Sequence, residues 1–356
     1  MFRTQLLVFA VVVVALIVAG HSAIAQTVTL RVGSGVIEGK PLFWNEQEIT
    51  LLARDGQIRT FKPNSVTHYA KTSDQFSAIS QAELRGALLR EFKGYDVSGT
   101  GKFLVVHPIG QRDVWADRFE QLYRGFTHYF SVRRISIDEP YFPLVAVVFP
   151  TRAIYLQYAP KSMQNTLGFY DSRTNRIYLF DAARSEGRDW SVNAETIIHE
   201  AAHQTAFNVG IHRRFGAVPT WVAEGIGTLF ERPGVWNSQE NRSLHDRVNW
   251  TQLGTYAERI KPEDSVSVLQ ELIQNDRLFQ HNPDVAYAYA WALTFYLTER
   301  EPAAYANYLK QLYQRDSFVP YRHADRVRDF ISTFGSDVKM LDVRMRRYLA
   351  ELKPQP

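Results

Sequence analysis

Ala194-Glu195-Thr196-Ile197-Ile198-His199-Glu200-Ala201-Ala202-His203-Gln204 sets a His-Glu-x-x-His pattern inside an apolar run. On a helix, residues four apart lie about 40° apart around the axis and one turn apart along it. His199 and His203 therefore point the same way and can hold one metal ion from two corners. Glu200 lies about 100° round from His199, where its carboxylate can take a proton from a water beside the ion. Ile197, Ile198, Ala201, Ala202 and Ala206 make the other faces apolar. A charged triplet in such a helix is costly unless something offsets the cost, and a divalent metal would. Two imidazole ligands beside a general base are the pattern of zinc hydrolysis.

A second stretch supplies what the first lacks. Pro219-Thr220-Trp221-Val222-Ala223-Glu224-Gly225-Ile226-Gly227-Thr228-Leu229-Phe230-Glu231 reads as a helix, with Thr220 as N-cap or Pro219 in the first turn. A catalytic zinc takes three protein ligands and keeps a position open for water. Glu224, one turn in, can be the third. Alone, it would read as a solvated helix carboxylate. Ala223, Gly225 and Gly227 have little or no side chain, so this helix can lie close against the first.

His199-Glu200-x-x-His203 followed by Trp221-Val222-Ala223-Glu224-Gly225 resembles the gluzincin metallopeptidases. Within them the chain resembles a group of secreted bacterial proteins known mainly as a domain of unknown function. The motif pair covers about a tenth of the chain, and weaker similarity runs from about Tyr95 to Tyr313. The resemblance implies an α+β, thermolysin-like zincin domain with a small sheet, the metal-site helices and a helical C-terminal part. It also implies Zn2+ as cofactor and peptide-bond hydrolysis. A Tyr or His from the helix 285–297 is implied as oxyanion donor. Tyr287 best matches the family pattern and Tyr289 is second. Thermolysin-like enzymes carry Asp or Glu four residues after the ligand Glu, where this chain has Thr228. That departure leaves Glu195 and Glu231 as candidates to orient His199, and Glu231 or His212 is a further candidate ligand should Glu224 not serve.

The flanking sequence sets the context. Residues 1–25 read as a secretory signal: Arg3, an apolar run from Leu6 to Ala19, and a small-x-small site at Ala23-Ile24-Ala25. The run is short of the ~20 residues a spanning helix needs, so cleavage and export to the periplasm or exterior are expected, with no membrane association afterwards. There is no Cys, so an oxidising compartment is allowed but not used. Net charge is +4 with Lys and Arg scattered, which does not indicate nucleic-acid binding.

Residues 26–70 are expected to form a small SH3- or Sm-like β-barrel from strands 28–32, 36–39, 48–52 and 57–61, with hairpin turns at Gly33-Ser34-Gly35 and Asp55-Gly56. Residues 71–94 form a joining segment with a helix from Ser77 to Phe92, and Leu84, Leu88 and Leu89 share one face. Residues 95–356 form the metallopeptidase-like domain. Its expected parts are buried strands 103–108 and 144–149, an amphipathic helix 114–129 and a strand-turn-strand at 168–180. From the family likeness and chain order, that hairpin supplies the sheet edge lining the cleft, where an extended peptide can add. A patternless stretch to about Val266, with Trp236, Asn237 and Asn241, is expected to rim the site. Helices 266–273, 285–297, 305–313 and 338–352 follow.

The expected activity is a secreted zinc peptidase with a peptide or protein substrate. Two other classes stand beside it: a zinc amide hydrolase acting on cell-wall peptides, and a non-catalytic zinc-containing binding protein. Intact Glu200 argues against the last, since a structural site needs no general base. Substrate preference and oligomeric state are not written in the sequence.

Overall fold

The computed structural model describes residues 26–183, 190–237 and 239–352. The expected signal segment lies outside them. Among the described residues, no helix is long and apolar enough to cross a membrane. The chain divides into two compact units, one of residues 1–87 with 173–175, the other of 88–172 with 176–356.

The first unit holds an antiparallel five-stranded sheet of order β4-β3-β2-β1-β5. Its strands are β1 Thr27–Val32, β2 Gly35–Trp44, β3 Ile49–Ala53, β4 Ile58–Phe61 and β5 Val66–Ser73. Gly33 (φ 59°) and Gly56 (φ 84°) take the left-handed conformation that their turns require. Val28, Leu30, Ile49, Leu51 and Val66 form its core. The fifth strand has no counterpart in the sequence reading. Beyond Val66 its residues are half-buried or exposed, so it shows no apolar alternation. Its place is set by ladder bonds to β1. The expected barrel closure is not seen: β4 and β5 are the two edges and do not pair, with the short Pro63–Ser65 turn between them. The unit is an open sheet. After it comes α1 (Gln81–Glu91), opened by a capping box of Ser80 and Glu83. Leu84 and Leu88 are buried but Leu89 is exposed, so the expected three-residue face is two residues wide.

The second unit is α+β. Its sheet has the order β6-β7-β8-β10-β9, from β6 (Tyr95–Gly99), β7 (Phe103–Pro108), β8 (Leu144–Phe149), β9 (Gly168–Asp171) and β10 (Arg176–Phe180). The central strands β7, β8 and β10 run parallel and are buried along almost their whole length, and apolar apart from His107 and Arg176, as strands covered on both faces are. The outer strands β6 and β9 are antiparallel to their neighbours. Asn175 (φ 61°) closes the β9–β10 turn in a conformation Asn tolerates better than most residues. Helix α2 (Arg112–Ser131) links β7 to β8 and buries the expected stripe of Trp115, Phe119, Leu122, Tyr123 and Phe126.

Apart from three single-turn helices, the remaining described helices are α3 (Trp190–Ala206), α4 (Thr220–Phe230), α5 (Trp250–Arg259), α6 (Ser265–Gln274), α7 (Pro283–Arg300), α8 (Pro302–Gln314), α9 (His323–Phe334) and α10 (Val338–Glu351). Helix α5 falls in the stretch read as patternless. Its one local signal is Asn249, whose side chain accepts from Gln252 N–H as an N-cap. Helix α4 packs between α3 and α7, and Trp221 and Trp291 lie fully buried in the same core.

Candidate metal centre

Helix α3 is held to the sheet from within. Gln204 donates from Nε2 to the Val145 carbonyl at 2.9 Å, buried, while Ile197, Ile198, Ala201, Ala202 and Ala206 are buried in the core. The opposite face presents His199, Glu200 and His203. Helix α4 packs closely on both its neighbours because two of its positions lack a side chain. A Cβ at Gly227 would lie 2.7 Å from His199 Cε1 and 2.9 Å from Nε2. A Cβ at Gly225 would instead strike Thr294 Oγ1 and the Ala290 carbonyl on α7. One glycine makes room for an imidazole and the other for a helix.

Three donor atoms converge there. His199 Nε2 and His203 Nε2 are 3.0 Å apart, and Glu224 Oε2 lies 3.3 Å from the first and 3.5 Å from the second. A tetrahedral ion with ligand bonds of about 2.05 Å has ligand–ligand edges of about 3.3 Å. The triangle therefore fits a small divalent cation without rearrangement. His199, His203 and Glu224 form the group among the described residues that could hold a metal ion.

Electrostatics point the same way. Burial works against a charge on His199, but hydrogen bonds from Glu224 and Glu231 and the charge of Glu200 raise its pKa well above the usual histidine value. Burial would raise Glu224, yet His203 and His199 hold it well below the ordinary carboxylate range. Among the described residues, no Lys or Arg pairs with Glu200, Glu224 or Glu231. Three carboxylates thus face two imidazoles, and the shortfall of positive charge is what a dication supplies. A metal would displace the proton that now ties His199 to Glu224.

The surrounding groups hold the donors in place. His199 Nδ1 donates to Glu231 Oε1 at 3.0 Å. Glu231 Oε2 in turn accepts from Asn249 Nδ2 at 3.0 Å, and the same amide reaches the Thr228 carbonyl at 3.2 Å. Of the two candidates to orient His199, Glu231 makes the bond and Glu195 is exposed. Thr228 turns back onto its own helix, donating to the Glu224 carbonyl at 2.7 Å. Glu200 Oε2 accepts from the backbone N–H of Tyr170 on β9 at 2.7 Å. The sheet edge expected to line a cleft is thus tied to the carboxylate expected to act as base.

Tyr287 and Tyr289 part company. Burial together with the nearby carboxylates of Glu224, Glu200 and Glu231 pushes the Tyr287 hydroxyl up, so it stays a neutral donor. Phe279 packs edge-on against its ring at 5.3 Å. Tyr289 is fully buried on the other side, donating to Asp342 Oδ1 at 2.7 Å. His212 does not join the group. It is buried, edge-on to Phe207, and burial beside His203 pushes it down to about 3. From the loop expected to rim the site, Asn249 rather than Trp236, Asn237 or Asn241 bonds Glu231. Neither Asn249 nor the Tyr170 amide had a signal in the sequence beyond the N-cap role of the former.

Residues 193–318 match the model of a family described as a protein of unknown function, DUF1570. That segment runs from within α3 to past α8. No curated protein sequence matches the chain. Among solved structures, a mutant of the M1 zinc metallopeptidase from Deinococcus radiodurans is similar at 14% identity and a TM-score of 0.38. The match covers 71% of this chain and 49% of that one, so this chain spans about half its length.

Proposed function

We propose that this chain is an exported zinc-dependent peptidase. His199, His203 and Glu224 would hold the ion. When bound, zinc supplies a Lewis acid that acidifies water to a pKa near ~7 and polarises a carbonyl. Glu200 moves the proton. Its Oε2 is fixed by the Tyr170 amide, so Oε1 takes the proton from the attacking water and passes it to the leaving amine nitrogen. Tyr287 stays protonated beside Glu224 and would donate to the developing oxyanion. Glu231, steadied by Asn249, keeps the proton on His199 Nδ1 and leaves Nε2 free for the ion.

The observation that carries this reading is the triangle of donor atoms, at 3.0, 3.3 and 3.5 Å, with Glu200 beside His199 hydrogen-bonded among the described residues through Oε2 alone. A purely structural zinc site would be closed by a fourth protein ligand, and among the described residues the group of converging donors has three members. The test is a cleavage profile of the exported protein on a peptide library and on purified sacculi, with zinc present and with zinc chelated. Cleavage of library peptides that is lost on chelation and restored by zinc is expected. Turnover of sacculi alone would move the substrate to cell-wall amides. No turnover by zinc-loaded protein would overturn the catalytic reading.

A further inference from the structure

Helix α4 carries no cap of its own. Its N-cap residue is Pro219, whose side chain bonds nothing in the first turn, and that turn holds no acidic residue. The Thr220 N–H donates instead to Asp276 Oδ1 at 3.0 Å, 56 residues further along the chain. Asp276 is half-buried, just past the end of α6. Arg326 of α9 grips it with two bonds, Nη1 to Oδ2 and Nη2 to Oδ1, both at 2.9 Å. The same guanidinium, buried, donates from Nε to the Ile273 carbonyl at 2.9 Å and from Nη2 to the Leu272 carbonyl at 3.2 Å, in the last turn of α6. Beside this junction Trp221 stacks on Tyr308 of α8, with centroids 5.9 Å apart, and meets Phe330 of α9 edge-on.

The open N–H groups of a first turn carry partial positive charge and draw a carboxylate. Such a carboxylate usually comes from the N-cap and travels with its helix. Asp276 does not travel with α4. Clamped to α6 and α9, it fixes where α4 begins as well as completing its first turn. Thr220 and Glu224 are four residues apart, one turn along the helix and about 40° round it. A displacement of the first turn therefore reaches Glu224 almost undiminished. The triangle has little slack: Glu224 Oε2 lies 3.3 and 3.5 Å from the two imidazole nitrogens, and a functional constellation is held to within about 0.5 Å. On the reading of His199, His203 and Glu224 as a metal site, we infer that Asp276, held by Arg326, is a positioning residue. It sets the place of α4 along its axis and so brings Glu224 level with the two histidines.

Co2+ is the probe, because its visible absorption reports the number and geometry of its ligands, which a loss of stability elsewhere leaves alone. The full exported chain is stripped of metal, reloaded with Co2+, and compared with Asp276→Ala, Asp276→Asn and Glu299→Gln. Zinc affinity is measured by competition on the same four proteins. Asp276→Ala changes the Co2+ spectrum and weakens zinc about tenfold or more, the range of partners that orient a ligand. Asp276→Asn keeps an acceptor for the Thr220 N–H and loses less. Glu299→Gln breaks a buried cluster remote from α4 and keeps the parent spectrum and affinity while its melt falls. A lower melt with parental spectrum and affinity in Asp276→Ala overturns the proposal, since Asp276 is then a helix cap and nothing more. A changed spectrum in Glu299→Gln also overturns it, because any loosening of the helices would then act alike. A parent that takes up neither Co2+ nor Zn2+ sinks the metal site itself, a result distinct from a metal-binding parent that Asp276→Ala leaves unaltered. Should Asp276→Ala fail to fold, Arg326→Lys, which keeps the charge and loses the fork, carries the same comparison.

Discussion

His199 Nδ1 and Glu231 Oε1 are 3.0 Å apart, joining the motif helix to a residue 32 positions later. An ionised carboxylate can only accept, so the imidazole keeps its proton on Nδ1, and the Nε2 that faces His203 and Glu224 is the nitrogen a metal would take in exchange for its proton. The bond is in turn steadied by Asn249. Partners of this kind are typically worth about 10–100-fold in metal affinity. Glu231→Ala is expected to lose that much in a zinc competition titration. Asn249→Ala loses less, because it also removes the cap of α5 and so shows in the melt. Unchanged zinc affinity in Glu231→Ala would show that His199 needs no orienting partner.

Ligand and base separate in a pair of variants. Glu200→Gln leaves all three donor atoms in place, so metal content should match the parent while hydrolysis falls about 10²–10⁴-fold. Glu224→Ala removes the anionic member of the triangle and should lose most of its zinc and some stability, since binding to the native state contributes to folding. Equal zinc in Glu224→Ala and the parent would remove Glu224 as a ligand.

The two glycines of α4 fail differently. Gly227→Ala pushes against the His199 ring, so zinc affinity should drop before stability does. Gly225→Ala drives α4 away from Thr294 and Ala290. Its cost should be about 1–3 kcal/mol of overpacking, read in the denaturation midpoint. If both variants lose stability equally and keep their zinc, the close approach of α4 to His199 is not what holds the site.

Tyr287→Phe should lower kcat about 10²–10³-fold with unchanged zinc. Tyr289→Phe should spare kcat but cost about 1–3 kcal/mol, because it strips a donor from buried Asp342. The reverse pattern would mean that the donor to the oxyanion lies on the Tyr289 side of α7.

Acid stability has an identifiable source. Burial alone would raise Glu299, but Arg247 and Arg133 hold it below the ordinary value of 4.5. Asp276 is likewise held below 3.8, against its burial, by Arg326 and Thr220. Both are depressed in the folded chain, so between the folded and unfolded pKa values the unfolded chain binds more protons and stability rises with pH. The contribution is complete above the unfolded values and is lost as pH falls through the folded ones. Glu299→Gln should cost about 3 kcal/mol at pH 7, as one half of a buried cluster, and should flatten the fall in urea midpoint below pH 4. Parallel pH profiles for parent and variant would exclude this source.

The sequence by itself determined what is local. The spacing of His199 and His203 is a property of the helix, so their common direction needed no partner. The apolar fill around them marked a core helix, and the β7 and β8 runs marked a buried sheet, whereas the inner place of β10 between β8 and β9 came only from the tertiary pairing. Tertiary structure decided everything that depends on which face meets which. Tyr287 and Tyr289 lie about 200° apart on α7, and that helix is apolar all round, so no pattern told the side facing Glu224 from the side facing Asp342. Glu231 prevailed over Glu195 because α4 meets α3 with its C-terminal end beside His199, a close approach that Gly227 permits. Strand β5 escaped notice because ladder bonds to β1, not burial, place it. Side-chain period is written in neighbours along the chain, whereas hydrogen-bond partners tens of residues apart exist only once packing has brought them together.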